Sequence, residues 1–341
     1  MRDSLIKEGL FSFTYVQYTL ECKELKTSTI RKLSDIEWFR EKLKALYPTS
    51  YFPPLPKKSM FEKTDKTDAE RKIATLNRFF ASLLQSEVIR SAPLTKDFII
   101  LSQSDFEKKK KGVYDKIKGP DQIKEFVTMD GYVDIKIDKN VERKVIAMNT
   151  DLSSKISAYD NLLFKLSELI GLFESVSQKI NEISSAFTQL SRAYKDKINS
   201  NTIVECFDKF TTFANKWKEG YDNQIVFFRD DIRSFFKYIN KELTEFKPLY
   251  DEYYAGKSDY EEKNYNLDKN KNNPLKVEEC KKDFVNSRTC YGFVLNRIYD
   301  EYFRLNGYHG KIISQKLDEM DENKQTILHD YFSLIQILGL K

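Results

Sequence analysis

Leu152, Tyr159, Leu166, Phe173, Ile180, Phe187 and Tyr194 recur at strict intervals of seven, and Ile156, Leu163 and Ile170 fill the positions between them. A hydrophobic period of 3.5 residues under-winds an α-helix into a left-handed supercoil, and a helix over 141–197 would run about 85 Å at ~1.5 Å per residue. Such a rod cannot bury its stripe alone. Two partner patterns follow it. Asn199-Ser200-Asn201 reads as a turn, after which Phe207, Phe210, Phe213, Trp217, Tyr221, Phe228, Ile232, Phe235, Ile239, Leu243 and Phe246 outline a second helix over 202–255. Pro248 removes one helical hydrogen bond and predicts a bend there. Residues 256–273, rich in Lys, Asn and Asp, read as a hydrophilic tip or loop. A third pattern opens at Pro274, a favoured first-turn residue, and runs through Phe284, Tyr291, Val294, Ile298, Tyr302 and Leu305. Gly307 and Gly310 weaken it before Ile313, Leu317, Ile327, Tyr331 and Leu334 resume it. Residues 141–341 are therefore expected to form a three-helix antiparallel coiled coil. Leu166, Phe173, Ile180 and Phe187 are its candidate core, on the aromatic face expected to join two copies.

The first part of the chain reads differently. Residues 11–20 mix Phe11, Phe13, Tyr15 and Tyr18 with Thr14, Val16 and Thr19, a strand composition, and 28–32 suit a second strand. Trp38, Phe39, Leu43 and Leu46 lie on one face of a helix over 35–46, and Ile73, Leu76, Phe80, Leu83 and Leu84 on one face of another over 68–84, with Asp68 placed to cap it. Between the two helices stands Pro53-Pro54-Leu55-Pro56-Lys57-Lys58. Three prolines in four residues exclude a helix and favour extended polyproline II backbone, which must lie at the surface or against a groove. The order is strands, helix, basic-tipped proline arm, helix.

That order resembles the phox-homology (PX) domain of the sorting nexins, a phosphoinositide-binding module. Arg31-Lys32-Leu33-Ser34-Asp35-Ile36 is similar to the family's basic-basic-aromatic-Ser-Asp-Phe signature, and the proline arm and Lys72-Ile73-Ala74-Thr75-Leu76-Asn77 follow in the family's order. The three long helices behind it resemble the BAR domain of the same family, a crescent dimer that senses or imposes membrane curvature; Phe246-Lys247-Pro248-Leu249 and Glu252-Tyr253 carry the local likeness. The resemblance implies an α+β chain: a PX domain at 1–112 with a small antiparallel sheet, helices and a proline-rich arm, a yoke at 113–140, and an all-α BAR-type coiled coil at 141–341. Family members have a complete first strand where this chain has only Met1 and Arg2 before Asp3, so a trimmed sheet or a shortened gene model is expected.

The departures from the family pattern bear on the site. In the family an arginine, an aromatic ring, a lysine and a second arginine hold the inositol phosphate; Lys32, Leu33, Lys58 and Lys72 stand at those positions, beside Arg31. Lysine is a hydrated point charge without the bidentate fork of arginine, and leucine offers no ring face for stacking. The site keeps its charge and loses discriminating geometry. Two readings follow: a weakened phosphoinositide site at Arg31, Lys32, Lys58 and Lys72, or a PX fold kept as a scaffold. Met60 and Phe61, ringed by Lys57, Lys58, Lys63 and Lys66, suit a loop that dips into the lipid interface, or else Phe61 folds back onto the domain. Ile123, Phe126, Val127 and Met129 read as a yoke packing the PX domain on the first long helix, with an amphipathic wedge as the alternative.

Charge sharpens the picture. Residues 1–111 hold 22 Lys and Arg against 15 Asp and Glu, whereas 112–341 hold 35 against 37. The front domain is basic and the rod is nearly neutral, so the rod meets an anionic leaflet only if its cations gather on one face, each such contact being worth ~1 kcal/mol. Arg229, Arg233, Lys237 and Lys241 are candidates, unless they solvate an exposed face beside Asp230, Asp231 and Glu242. Lys108 to Lys111 reads as a solvated face or linker that anionic lipid or nucleic acid could touch, but nucleic acid is not among the expected partners.

No run approaches the ~20 apolar residues that span a bilayer, and no apolar leader follows Met1, so secretion is not expected. Cys22, Cys206, Cys280 and Cys290 lack metal-site or redox-pair spacing, as suits reduced cytosolic thiols. His309 and His329 stand without a nucleophile or ligand pattern, and no glycine-rich phosphate loop occurs. No enzyme, cofactor or metal is expected. The resemblance implies a cytoplasmic protein, peripheral on endosomal or related membranes, that binds phosphoinositide-containing or anionic membrane. It would dimerise with itself or another PX-BAR protein, stabilise curved carriers in trafficking and recruit sorting partners; the alternative is a scaffold subunit with degenerate lipid recognition.

Overall fold

The computed structural model describes residues 4–8, 14–56, 66–117, 135–195 and 201–337, with side chains over 16–56, 71–117, 135–195 and 201–321. Three strands, β1 (Ser4–Glu8), β2 (Thr14–Cys22) and β3 (Thr27–Lys32), form an antiparallel sheet in that order, with Ser4 opposite Tyr18 and Tyr18 opposite Arg31. The expected trimmed sheet is thus corrected: the residues directly after Asp3 supply a five-residue edge strand. Five helices follow: α1 (Leu33–Leu46), α2 (Lys66–Leu83), α3 (Glu87–Ser91), α4 (Pro93–Ile100) and α5 (Gln103–Lys109), the last running into a π-helical turn at Lys110–Tyr114. Helical spacing puts Ile36, Phe39 and Leu43 on one face of α1, where they are fully buried with Tyr18, Leu76, Phe79, Phe98 and Phe106. The Phe39 and Phe98 rings stack at 4.2 Å.

The rod begins with α6 (Lys139–Tyr194) and returns through α7 (Asn201–Val226), a π-helical stretch at Phe227–Arg233, α8 (Ser234–Phe246) and α9 (Pro248–Asn270); α10 (Val277–Ile337) completes it. The helix breaks at Lys247, and Pro248 is the first residue of α9, as its missing N–H requires. The hydrophilic stretch 256–273 is corrected from tip to helix: α9 continues to Asn270, because Tyr260 packs on Phe284 and Tyr291 with ring centres 5.7 and 5.5 Å away. Gly307 and Gly310 do not interrupt α10.

The chain falls into two compact units. One takes in Met1–Lys155 and Lys241–Tyr308, the other Ile156–Asn240 and His309–Lys341. The PX-like part therefore shares a unit with the start of α6 and with much of α9 and α10. In that unit the proline arm lies in a groove. Pro53 and Pro54 are buried, Arg40 donates from Nε to the Pro53 carbonyl at 2.8 Å and from Nη2 to the Phe52 carbonyl at 3.2 Å, and Lys241 Nζ donates to the Leu55 carbonyl at 2.7 Å. Side-chain donors thus satisfy carbonyls that polyproline backbone cannot pair by itself.

The second unit is an antiparallel pairing of α6 with α7 and its continuation. Phe173 lies against Tyr221 and Phe228, Phe187 against Phe207 and Phe210, and Tyr159 against Phe236. Between the rings runs a ladder of short hydrogen bonds: Asn240 to Asp160 at 2.6 Å, Ser177 to Asp222 at 2.6 Å, Ser184 to Asn215 at 2.5 Å and Ser191 to Asp208 at 2.7 Å. Ser177, Ser184 and Ser191 are buried seven residues apart on the seam, so a one-heptad slip would pair each of them with a different neighbour.

Candidate functional site

The signature segment lies where β3 meets α1. Asp35, buried at the start of α1, accepts the Lys32 backbone N–H at 3.1 Å and Gln103 Nε2 at 3.1 Å, so the carboxylate closes the helix N-terminus and ties it to α5. Arg31 is 0 % exposed. Its guanidinium donates to the carbonyls of Phe98 at 2.7 Å and Leu101 at 2.8 Å and lies 4.7 Å from the Phe106 ring centre. Desolvation drives its pKa down to about 10, opposed by the charges of Asp35 and Glu107. Arg31 therefore serves the interior, and geometry removes it from the cations open to a ligand. On β3 it shares the inward face with Thr29, an alternation that its charge conceals in the sequence.

Lys32 is half-buried at the end of β3, Leu33 packs partly on the domain core, and Lys72 is buried on α2. Lys58, Met60 and Phe61 lie outside the described residues, as do Ile123, Phe126, Val127 and Met129 of the yoke. The basic run is largely engaged at home: Lys109 pairs with Asp97 at 2.6 Å, and Lys110 lies 3.5 Å from Asp35 and 4.7 Å over the Trp38 ring.

On the rod, Arg229 is exposed and pairs with Glu174, Arg233 donates from Nε to Ser167 at 2.8 Å, and Lys237 is exposed. Lys241 belongs to the other unit, where it holds the proline arm. Leu166 and Phe173 are half-buried, Ile180 is buried and Phe187 half-buried on the seam with α7, where the ring contacts are made within the chain.

A second stripe went unnoticed in the sequence. Leu162, Leu169, Val176, Ile183 and Leu190 are also spaced by seven, on a different face of α6, and Leu172 stands beside them. Leu172 is 64 % exposed and Ile183 46 %, with Leu162, Val176 and Leu190 exposed as well. It is easily missed because the larger aromatic residues of the first stripe dominate the periodicity.

Residues 21–101 match the model of the PX domain. Over 222 residues the chain is 23 % identical to Sorting nexin-4 of Candida albicans (strain SC5314 / ATCC MYA-2876), covering 58 % of this chain and 34 % of that protein, so the chain spans about a third of the length of that relative. The cryo-EM structure of the SNX-BAR Mvp1 tetramer superposes with a TM-score of 0.72 at 14 % identity, covering 97 % of this chain and 99 % of that one. Residues 21–101 are thus similar to a PX domain, and the chain has the fold of that SNX-BAR structure. Among its described residues no helix is long and apolar enough to cross a membrane.

Proposed function

We propose that the protein is a peripheral membrane protein of sorting nexin type that dimerises, attaches to anionic, phosphoinositide-containing endosomal or related membranes from the cytoplasmic side, and stabilises curved carriers without catalysing a reaction. The observation that carries this reading is the exposed heptad stripe on α6 of a PX-BAR fold. Four exposed apolar residues and the half-buried Leu169, repeating over about 42 Å at ~1.5 Å per residue, form a seam that water should not face, and a second copy of the chain, or another PX-BAR chain, is the partner whose period matches it. Lys32, Lys58 and Lys72 remain the cations proposed for the headgroup, Met60 and Phe61 the residues proposed to enter the interface, and Arg229, Arg233 and Lys237 the proposed rod contacts.

A second reading, a PX-BAR scaffold without lipid recognition, is favoured by the burial of Arg31, the leucine at position 33 and the engagement of Arg229 and Arg233 within the chain. Co-sedimentation of the purified protein with small and large vesicles carrying either one phosphoinositide or only phosphatidylserine, at two salt concentrations, separates the two. Selective binding to small phosphoinositide vesicles is expected, and no binding to any vesicle would leave the scaffold.

A further inference from the structure

We propose that the cleft between the start of α6, α9 and α10 binds a small polyphosphorylated anion, at a site separate from the PX signature residues. The cleft, about 480 Å³, is lined by Lys136, Lys139, Lys257 and Arg288 against only two carboxylates, Glu142 and Glu261. That volume lies in the range of small-molecule sites.

The two acids do not cancel the four cations. Glu142 is held in place, accepting Lys257 Nζ at 3.0 Å and the Tyr291 hydroxyl at 2.7 Å, so its charge fixes Lys257 at the wall. Lys136 and Lys139 are exposed at the mouth, and Arg288 is half-buried. The Arg288 guanidinium lies over the Phe284 ring, 5.3 Å from its centre. Tyr260 and Tyr291, stacked with ring centres 5.5 Å apart and planes 20° apart, form a rigid apolar wall.

A guanidinium, three ammonium groups lining the same cleft and a flat apolar wall suit a ring bearing several phosphates: a guanidinium binds phosphate oxygens in pairs and lysines neutralise the remainder. The cleft gathers four cations and two carboxylates in one concavity, a net surplus of positive charge. The same chemistry is offered by a free inositol polyphosphate and by a phosphoinositide headgroup. This inference does not depend on PX-mediated membrane attachment.

The test is calorimetric titration of the full chain with inositol hexakisphosphate, paired with vesicle recruitment. Wild type should bind, and the surface variant Lys136→Gln/Lys139→Gln should weaken binding at least tenfold with an unchanged melting temperature. Arg288→Lys, which keeps the charge and loses the fork, should also weaken it severalfold, whereas Lys209→Gln/Lys216→Gln, at exposed positions of α7, should leave it unchanged. If the cleft variant also loses recruitment to phosphoinositide vesicles, the source is the lipid headgroup; if recruitment is retained while hexakisphosphate binding falls, it is the free anion. Absence of binding by wild type, or equal binding by the cleft variants, overturns the proposal.

Discussion

Arg304 of α10 donates from Nη1 to the backbone carbonyl of Ser82 in α2 at 3.1 Å, joining rod helix to PX helix across 222 residues of sequence. The same guanidinium is 2.5 Å from Glu301, a carboxylate only 4 % exposed, and Glu301 lies 3.9 Å from Arg297, whose Nη2 donates to Ser50 at 3.1 Å. One buried acid thus orients two arginines that grip the PX-like part at two places. With Arg40 bound to Glu245 at 3.0 Å and the Tyr51 ring 5.6 Å from Phe246, the front domain is built into its unit of the rod.

Glu301→Ala leaves both arginines without their shared carboxylate. Breaking a buried ion pair by removing one partner costs about 3–5 kcal/mol. Chemical unfolding should show a loss of that order. A change under ~0.5 kcal/mol would mean that the grip contributes little.

Glu252 provides a titration test. It lines a cavity of about 180 Å³ with Lys44, and its Oε2 has no hydrogen-bond partner. Burial, reinforced by Asp251 and opposed by Lys44, pushes its carboxyl from 4.5 up to about 7. Between those values the folded protein keeps a proton that the unfolded chain releases. Stability therefore falls as pH rises through the window, and the deficit is complete above it. Glu252→Gln should be more stable than wild type at pH 8, by on the order of 1–2 kcal/mol after solvent screening, and equal to it at pH 4. Equal stability at both values would contradict the burial argument.

Gly292 on α10 faces Ile135, and a Cβ there would stand 2.9 Å from the Ile135 carbonyl oxygen and 2.9 Å from its Cγ2. Gly307, on the same helix, has open space around it. Alanine normally stabilises a helix over glycine by about 1 kcal/mol. Gly307→Ala should therefore raise the melting temperature, while Gly292→Ala should lower it, because overpacking costs about 1–3 kcal/mol. A rise in both would place Ile135 elsewhere.

The sequence disclosed the elements better than their surroundings. Periodicity located α1, α2, α6 and α10 to within a few residues, because one buried face of each carries large apolar side chains at helical spacing. It failed at 256–270, where lysines and asparagines conceal a helix whose packing rests on Tyr260 and on polar contacts such as that of Asp259 with Ser287. Charge was the poorest guide. Arg31, Arg40 and Lys241 look like surface cations in the sequence, yet each is spent on backbone carbonyls brought near by tertiary folding. The serine ladder was visible as a seven-residue repeat of Ser177, Ser184 and Ser191, but its partners are fixed only by the antiparallel register.

The most direct measurement is sedimentation velocity with parallel circular dichroism on wild type, Leu172→Glu/Ile183→Glu and Phe173→Glu/Phe187→Glu. The first variant alters only the exposed stripe, and the second the seam within the chain. Wild type should sediment as a dimer, the stripe variant as a monomer with unchanged helicity, and the seam variant should lose helicity. A stripe variant that stays dimeric, or a monomeric wild type, would contradict the account.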